Sequence, residues 1–176
     1  LPMESKFVPG VPMIGADDGP TRIDALKAAL RTFISRRPDD RIGVVVFSDH
    51  AYVVSPLTND KGPLFEYFDL VDPKTLVGEG MTAVGDGIDT ARMLLTRQSS
   101  RGTRNKVIIV FTDGASNLGR DPIAALDDAA AAGDRVHVVG VDLRDEQRRR
   151  PEIAPFIRAI GAAGGRYYAA DSNAEL

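Results

Sequence analysis

Hydrophobic and polar positions follow two rhythms along this chain. Unbroken apolar runs of strand length recur as "RIGVVVF" at 41–47, "VIIVF" at 107–111 and "VHVVGV" at 136–141. They are too short for helices and rich in β-branched residues, which predicts strands buried on both faces. Between them, apolar residues return every three or four positions. Ile23, Leu26, Leu30, Phe33 and Ile34 predict a helix from Thr21 to about Arg36, with Thr21 as its cap and Asp24 three residues on. Leu64, Phe65, Phe68 and Val71 predict a helix over 62–70 with Pro63 in its first turn. Val84, Ile88, Ala91 and Leu95 predict a third, and Asp121-Pro122 opens a fourth that stops at Gly133. Ile153, Phe156, Ile157 and Ile160 predict a fifth helix from Pro151 to about Ala163, followed by a short strand "RYYAA". "AYVV" at 51–54 follows "RIGVVVF" across the turn Ser48-Asp49-His50, so it reads as an antiparallel hairpin partner at the sheet edge.

Strands that alternate with helices predict an α/β fold: a doubly wound, mainly parallel sheet with helices on both faces and one antiparallel edge strand. The 1–20 stretch is rich in proline and glycine without periodicity and reads as an irregular loop. No internal repeat is visible. A chain of 176 residues, 43% hydrophobic, suits a single domain spanning 1–176. A net charge of -3 argues against general nucleic-acid binding, and the run Arg148-Arg149-Arg150 reads as a solvated loop. The chain has no cysteine, which excludes disulfides, thiolate zinc sites and thiol catalysis. No apolar run reaches the roughly 18 residues of a membrane span, and no signal-peptide pattern opens the chain.

In an open α/β sheet, ligands bind in the crevice at the carboxyl ends of the strands. Asp113 ends "VIIVFT", and Thr82 stands where the glycine-rich stretch "GEGMTAVG" enters a helix, so both can face that crevice. A hydroxyl and a carboxylate form an oxygen-only donor set suited to a hard cation such as Mg²⁺. The plainer alternative has Asp113 beginning a turn and Thr82 capping a helix. Asp86, four residues after Thr82, either orients a metal-bound water or complements the helix dipole. Asp49 and His50 suit the hairpin turn. His137 alternates within a strand and reads as a core or interface histidine, and Asp142 ends the same strand with no evident partner. Gly78, Gly80 and Gly85 lack the Gly-Lys-Ser/Thr ending of a phosphate loop. No Ser-His-Asp order, G-x-S-x-G elbow or D-x-D pair is present, so a metal-dependent α/β hydrolase is the weaker reading and no enzyme is expected.

"DRIGVVVFSDHAYVVSPLTND", "GEGMTAVGDGIDTA" and "KVIIVFTDGASNLG" resemble successive blocks of the von Willebrand factor A family. The resemblance covers nearly the whole chain. It implies a metal-ion-dependent adhesion site built from a D-x-S-x-S loop, a threonine and a later aspartate, with Thr82 and Asp113 matching the last two. It implies a non-enzymatic protein-interaction module in which bound Mg²⁺ or Mn²⁺ is completed by an acidic residue of a protein partner, with Gly114, Asn117 and Leu118 on the partner-binding loop.

The family's first strand and D-x-S-x-S loop are not visible here. One alignment puts Pro2 at the second serine; another puts Ser5 there and leaves Leu1 and Met3 where the family has aspartate and serine. A metal-free scaffold with a degenerate site is therefore the alternative. The family's sheet holds that strand in the middle, so two strand edges are expected to stand unpaired, and the chain reads as a domain cut from a longer protein. Its style resembles the bacterial aerotolerance-type branch. That resemblance implies a membrane-anchored protein, with the membrane reached only through segments outside this chain, and a role beside a MoxR-type AAA+ ATPase in assembly or chaperoning of a client. A periplasmic side is expected, with the cytoplasm as the alternative.

Overall fold

The computed structural model describes residues 22–71, 82–99, 105–112, 116–141 and 149–170. Expectations for Pro2, Ser5, Gly78, Gly80, Asp113, Gly114 and Asp142 lie outside these residues. In chain order the elements are α1 (Arg22–Ser35), β1 (Ile42–Phe47), β2 (Ala51–Thr58), α2 (Lys61–Asp69), α3 (Val84–Gln98), β3 (Val107–Thr112), α4 (Pro122–Ala131), β4 (Arg135–Val141), α5 (Ala154–Ala162) and β5 (Tyr167–Ala170). This is the α/β alternation that the two rhythms predict.

Local chemistry fixes the boundaries. Asp60 caps α2 by accepting from the Gly62 amide, and Pro63 sits in its first turn, where a missing N–H costs nothing. Asp121 accepts from the amides of Ile123 and Ala124 at the start of α4. Each such cap contributes about 1 kcal/mol. Gly133, at φ 78°, takes the left-handed turn that releases the chain from α4 into β4. In the β1–β2 turn Asp49 accepts from the Ser48 hydroxyl and the His50 amide, so these residues do turn chemistry. The Ser48 hydrogen bond and the charge of His50 hold the Asp49 carboxyl below its usual range.

Among the described residues the strands form two ladders. β1 pairs antiparallel with β2, while β3, β4 and β5 run parallel in that order. β2 extends to Thr58 and carries Pro56, which an edge strand tolerates. β1 and β3 each pair on one side only, yet both pack on α3. This leaves two unjoined inner edges where a central strand is expected.

The core lies between β3–β4 and helices α3, α4 and α5, with Ile88, Leu126, Val138 and Ile160 fully buried beside Val84, Ile108, Val110, Val136 and Ala129. Burying each large aliphatic side chain contributes about 1.5–3 kcal/mol. The expectation of strands buried on both faces needs correction. Ile108, Val110 and Thr112 are buried, but Val107 is 43% and Ile109 37% exposed. β1 is only half-buried along its length. Among the described residues no strand joins the inner edges of these two elements, and nothing covers the Val107–Ile109 face of β3 as the α3–α4 side is covered.

Candidate functional site

The site is best built from Thr82. Its neighbour Ala83 occupies the N-cap position of α3, so the Thr82 hydroxyl is not the capping group. The Ala83 amide donates to the Ser48 carbonyl at 2.7 Å, which ties the start of α3 to the end of β1. Thr82 itself is gripped through its backbone by the loop that follows β3. Its amide donates to Asn117 Oδ1 at 2.7 Å, and its carbonyl accepts from the Asn117 amide at 3.0 Å and the Ser116 hydroxyl at 3.2 Å. The loops after β1 and β3 and the N-terminus of α3 therefore meet at one edge. Thr112, the residue before Asp113, is buried at the end of β3.

A second attachment lies three residues along the same loop. The Arg120 amide donates to Asp86 Oδ1 at 3.0 Å, and the Arg120 guanidinium bridges Asp89 on α3 and Asp128 on α4, the latter at 2.6 Å. Arg92 lies 3.4 Å from Asp89 and 4.0 Å from Asp128. Hydrogen bonds to Asp89 and then Asp128 hold the Arg120 proton more firmly than usual, and the Arg120 hydrogen bond lowers the Asp128 carboxyl in turn. Two glycines permit the approach. A Cβ on Gly85 would collide with the Arg120 carbonyl, and Gly119, at φ 74°, has the Asp86 carboxylate where its Cβ would stand.

The sequence-predicted residues thus divide. Thr82, Asp86, Asn117 and Leu118 all sit at this edge. Asp86 is already engaged in holding the Arg120 amide, a role that spacing along α3 does not show. Asn117 uses its side chain on Thr82, whereas Leu118 is 38% exposed and available to a partner. Sequence reasoning missed Arg120, Asp89 and Asp128. The i,i+3 spacing of Asp89 and Arg92 was the only local signal for that network.

Among the described residues no group of three or more acidic or histidine side chains could hold a metal. His137 Nδ1 accepts from the Arg166 amide at 3.1 Å and ties β4 to the start of β5. Burial, with the charges of Arg135 and Arg166, pushes its pKa below the ordinary value of 6.5. Asp134, at the opposite end of β4, is 3% exposed and has Lys106 Nζ 3.9 Å away. Burial raises its carboxyl above the usual range, opposed by the charges of Lys106 and Arg92.

The structure is thus an α/β sheet domain whose strand-end loops converge beside a helix N-terminus. Residues 12–115 match the model of the von Willebrand factor type A domain, and the chain belongs to that family. An uncharacterized protein of Borreliella burgdorferi is 30% identical over 128 residues, covering 71% of this chain and 36% of the relative, so the chain spans about a third of that protein. The conserved hypothetical protein BatB of Bacteroides thetaiotaomicron superposes with a TM-score of 0.71 at 22% identity, covering 97% of this chain and 87% of that one. An aerotolerance-related membrane protein of Bacteroides fragilis gives a TM-score of 0.70 at 20% identity, with 98% and 89% covered. Proximal thread matrix protein 1 of the mussel byssus, with a zinc-occupied MIDAS motif, gives 0.67 at 18% identity, covering 87% of this chain and 39% of that one. At these identities the structural likeness establishes the fold. Among the described residues no helix is long and apolar enough to cross a membrane.

Proposed function

We propose that this domain is a non-enzymatic protein-interaction module whose strand-end loops engage an acidic side chain of a protein partner through a divalent cation, Mg²⁺ or Mn²⁺. Thr82 and Asp113 are the residues of this chain assigned to the cation, with Leu118, Asn117 and Gly114 on the loop facing the partner. The observation that carries the reading is the grip of Asn117 and Ser116 on Thr82, because it brings the α3 N-terminus and the β3–α4 loop to one edge. In the chain Asp113 directly follows Thr112 and stands three residues before Ser116.

The donor set assigned to the ion, one hydroxyl and one carboxylate with no sulfur, fits a hard cation. A bound cation would supply an open position for a partner's carboxylate. The chain's own task is to hold Thr82 still, to present Leu118, and to keep Asp86 occupied by the Arg120 amide so that it does not compete for the ion. No bond-making step is required of any residue.

The reading extends to context. The inner edges of β1 and β3, unpaired among the described residues, suit an additional strand between them, and we place this domain within a longer, membrane-anchored bacterial protein. Work beside a MoxR-type AAA+ ATPase on a client complex, with the domain on the periplasmic side, follows from the family resemblance alone; the cytoplasmic side is the alternative.

The test is Mn²⁺ titration followed by nuclear magnetic resonance. Paramagnetic broadening should appear first at the Thr82 and Leu118 amides and vanish in Asp113→Ala. Broadening spread evenly over surface acids, or unchanged in Asp113→Ala, would leave a metal-free scaffold that binds through loops alone.

A further inference from the structure

We propose that Arg120 is the positioning residue of this edge, fixing the 117–119 loop against Thr82 through a charge bridge between α3 and α4. The inference rests on the functional reading above for its consequence, but not for its geometry. The loop has two anchor points. At Asn117 it holds the Thr82 backbone by both amide and carbonyl. At Arg120 it is pinned by a hydrogen bond that the Arg120 amide donates to Asp86 and by guanidinium contacts to Asp89 and Asp128.

The anchors differ in kind. The Asn117 pair is neutral and local, whereas the Arg120 fork reaches α3 and α4, two of the three helices that cover the core face of the sheet. A planar guanidinium with several fixed donors can satisfy two carboxylates on different helices at once, which a lysine ammonium does less well. Asp89 and the Arg120 side chain are 24% and 33% exposed, so the bridge is partly shielded from solvent. Gly85 and Gly119 allow the backbone to lie against the first turn of α3, where a side chain at either would lift it away. The bridge is thus placed so that the α3–α4 packing sets where Leu118 and Asn117 stand relative to Thr82. Loss of the fork should free the loop while the core stays folded, because Arg120, Asp89 and Asp128 are partly exposed and lie outside the buried core cluster.

The test compares the unmodified chain with Arg120→Ala, Arg120→Lys and Asp128→Asn. Amide hydrogen exchange reads the loop directly, with Thr82 and Asn117 as reporters and Val138 in β4 as the core control. In Arg120→Ala we expect protection at Thr82 to fall at least tenfold with Val138 unchanged, and Arg120→Lys and Asp128→Asn to fall between. The Mn²⁺ midpoint read from Thr82 broadening should rise at least threefold in Arg120→Ala and be partly restored in Arg120→Lys, which a merely structural role would not produce. Protection at Thr82 within twofold of the unmodified chain in Arg120→Ala would overturn the inference. So would lost protection with an unmoved Mn²⁺ midpoint. If Mn²⁺ leaves Thr82 unbroadened in the unmodified chain, the metal reading fails, and the exchange data alone decide the role of Arg120. Should Arg120→Ala unfold, the same exchange comparison in Asp128→Asn, which keeps the arginine, decides it.

Discussion

Asn117→Ala isolates the contact on which the site rests. The substitution removes the oxygen that accepts from the Thr82 amide at 2.7 Å but leaves the Asn117 amide free to donate to the Thr82 carbonyl. A neutral hydrogen bond of this kind contributes about 0.5–1.5 kcal/mol net, and more is lost when the orphaned donor stays shielded from water. Thr82 is half-buried and Asn117 exposed, so water can partly replace the lost oxygen. That places the cost near the middle of the range, about 1 kcal/mol. For a domain of this size the melting temperature should fall by roughly 2–4 °C. The simple expectation for a partner-contact residue would be no change in stability, so the two roles are separable. Differential scanning calorimetry gives the melting temperature, and hydrogen exchange at the Thr82 amide should accelerate about fivefold. An unchanged melting temperature with unchanged exchange at Thr82 would refute the claim that this side chain holds the α3 N-terminus. Leu118→Ser, in contrast, should leave both readouts within error, since its side chain is exposed.

Two further outcomes follow from titrating groups elsewhere in β4 and at its ends. Asp134 has a folded carboxyl pKa raised above 3.8, so its favourable contribution exists below that value and is lost as pH rises through the folded one. Asp134→Asn should therefore raise the melting temperature at pH 7 by roughly 2–4 °C, for about 1 kcal/mol, with the gain shrinking towards pH 4; a loss at pH 7 would mean that pairing with Lys106 outweighs burial. His137 has its pKa lowered from 6.5, so it contributes above 6.5 and loses that contribution as pH falls through its folded value, when protonation of Nδ1 removes the acceptor for the Arg166 amide. Urea midpoints at pH 7.5 and pH 5 should fall further apart in the unmodified chain than in His137→Gln, and equal drops would remove His137 from the pH dependence.

Much of the fold was legible because single residues carry the information. Asp121-Pro122 and Gly133 mark both ends of α4, and the Asp121 side chain makes the cap bonds that the pair implies. Apolar runs identify β1, β3 and β4, since only a strand buries so short a run. The same runs could not say how many faces are covered. "VIIVF" reads alike with one face packed or two, and the exposure of Val107 and Ile109 depends on what lies across the sheet. The continuation of β2 past Val54 was hidden by Pro56, a residue that weakens a strand signal wherever it stands. At the site, Thr82 was legible from its place between a glycine-rich stretch and a helix. The Arg120 bridge was not, because its partners on α3 lie 31 and 34 residues away and no local pattern pairs them. The use of Asn117 on Thr82, 35 residues distant, was hidden for the same reason.

Calorimetric titration with Mg²⁺, on this chain and on Asp113→Ala, tests the central claim most directly. Thr82 and Asp113 offer one hydroxyl and one carboxylate, while Mg²⁺ demands near-octahedral oxygen ligation, so water must fill the remaining positions and the affinity should be weak. The account predicts weak binding that disappears in Asp113→Ala without a change in melting temperature beyond a degree or two, roughly what a surface substitution causes. Tight binding that survives the loss of Asp113 would contradict it and move the site elsewhere on the molecule.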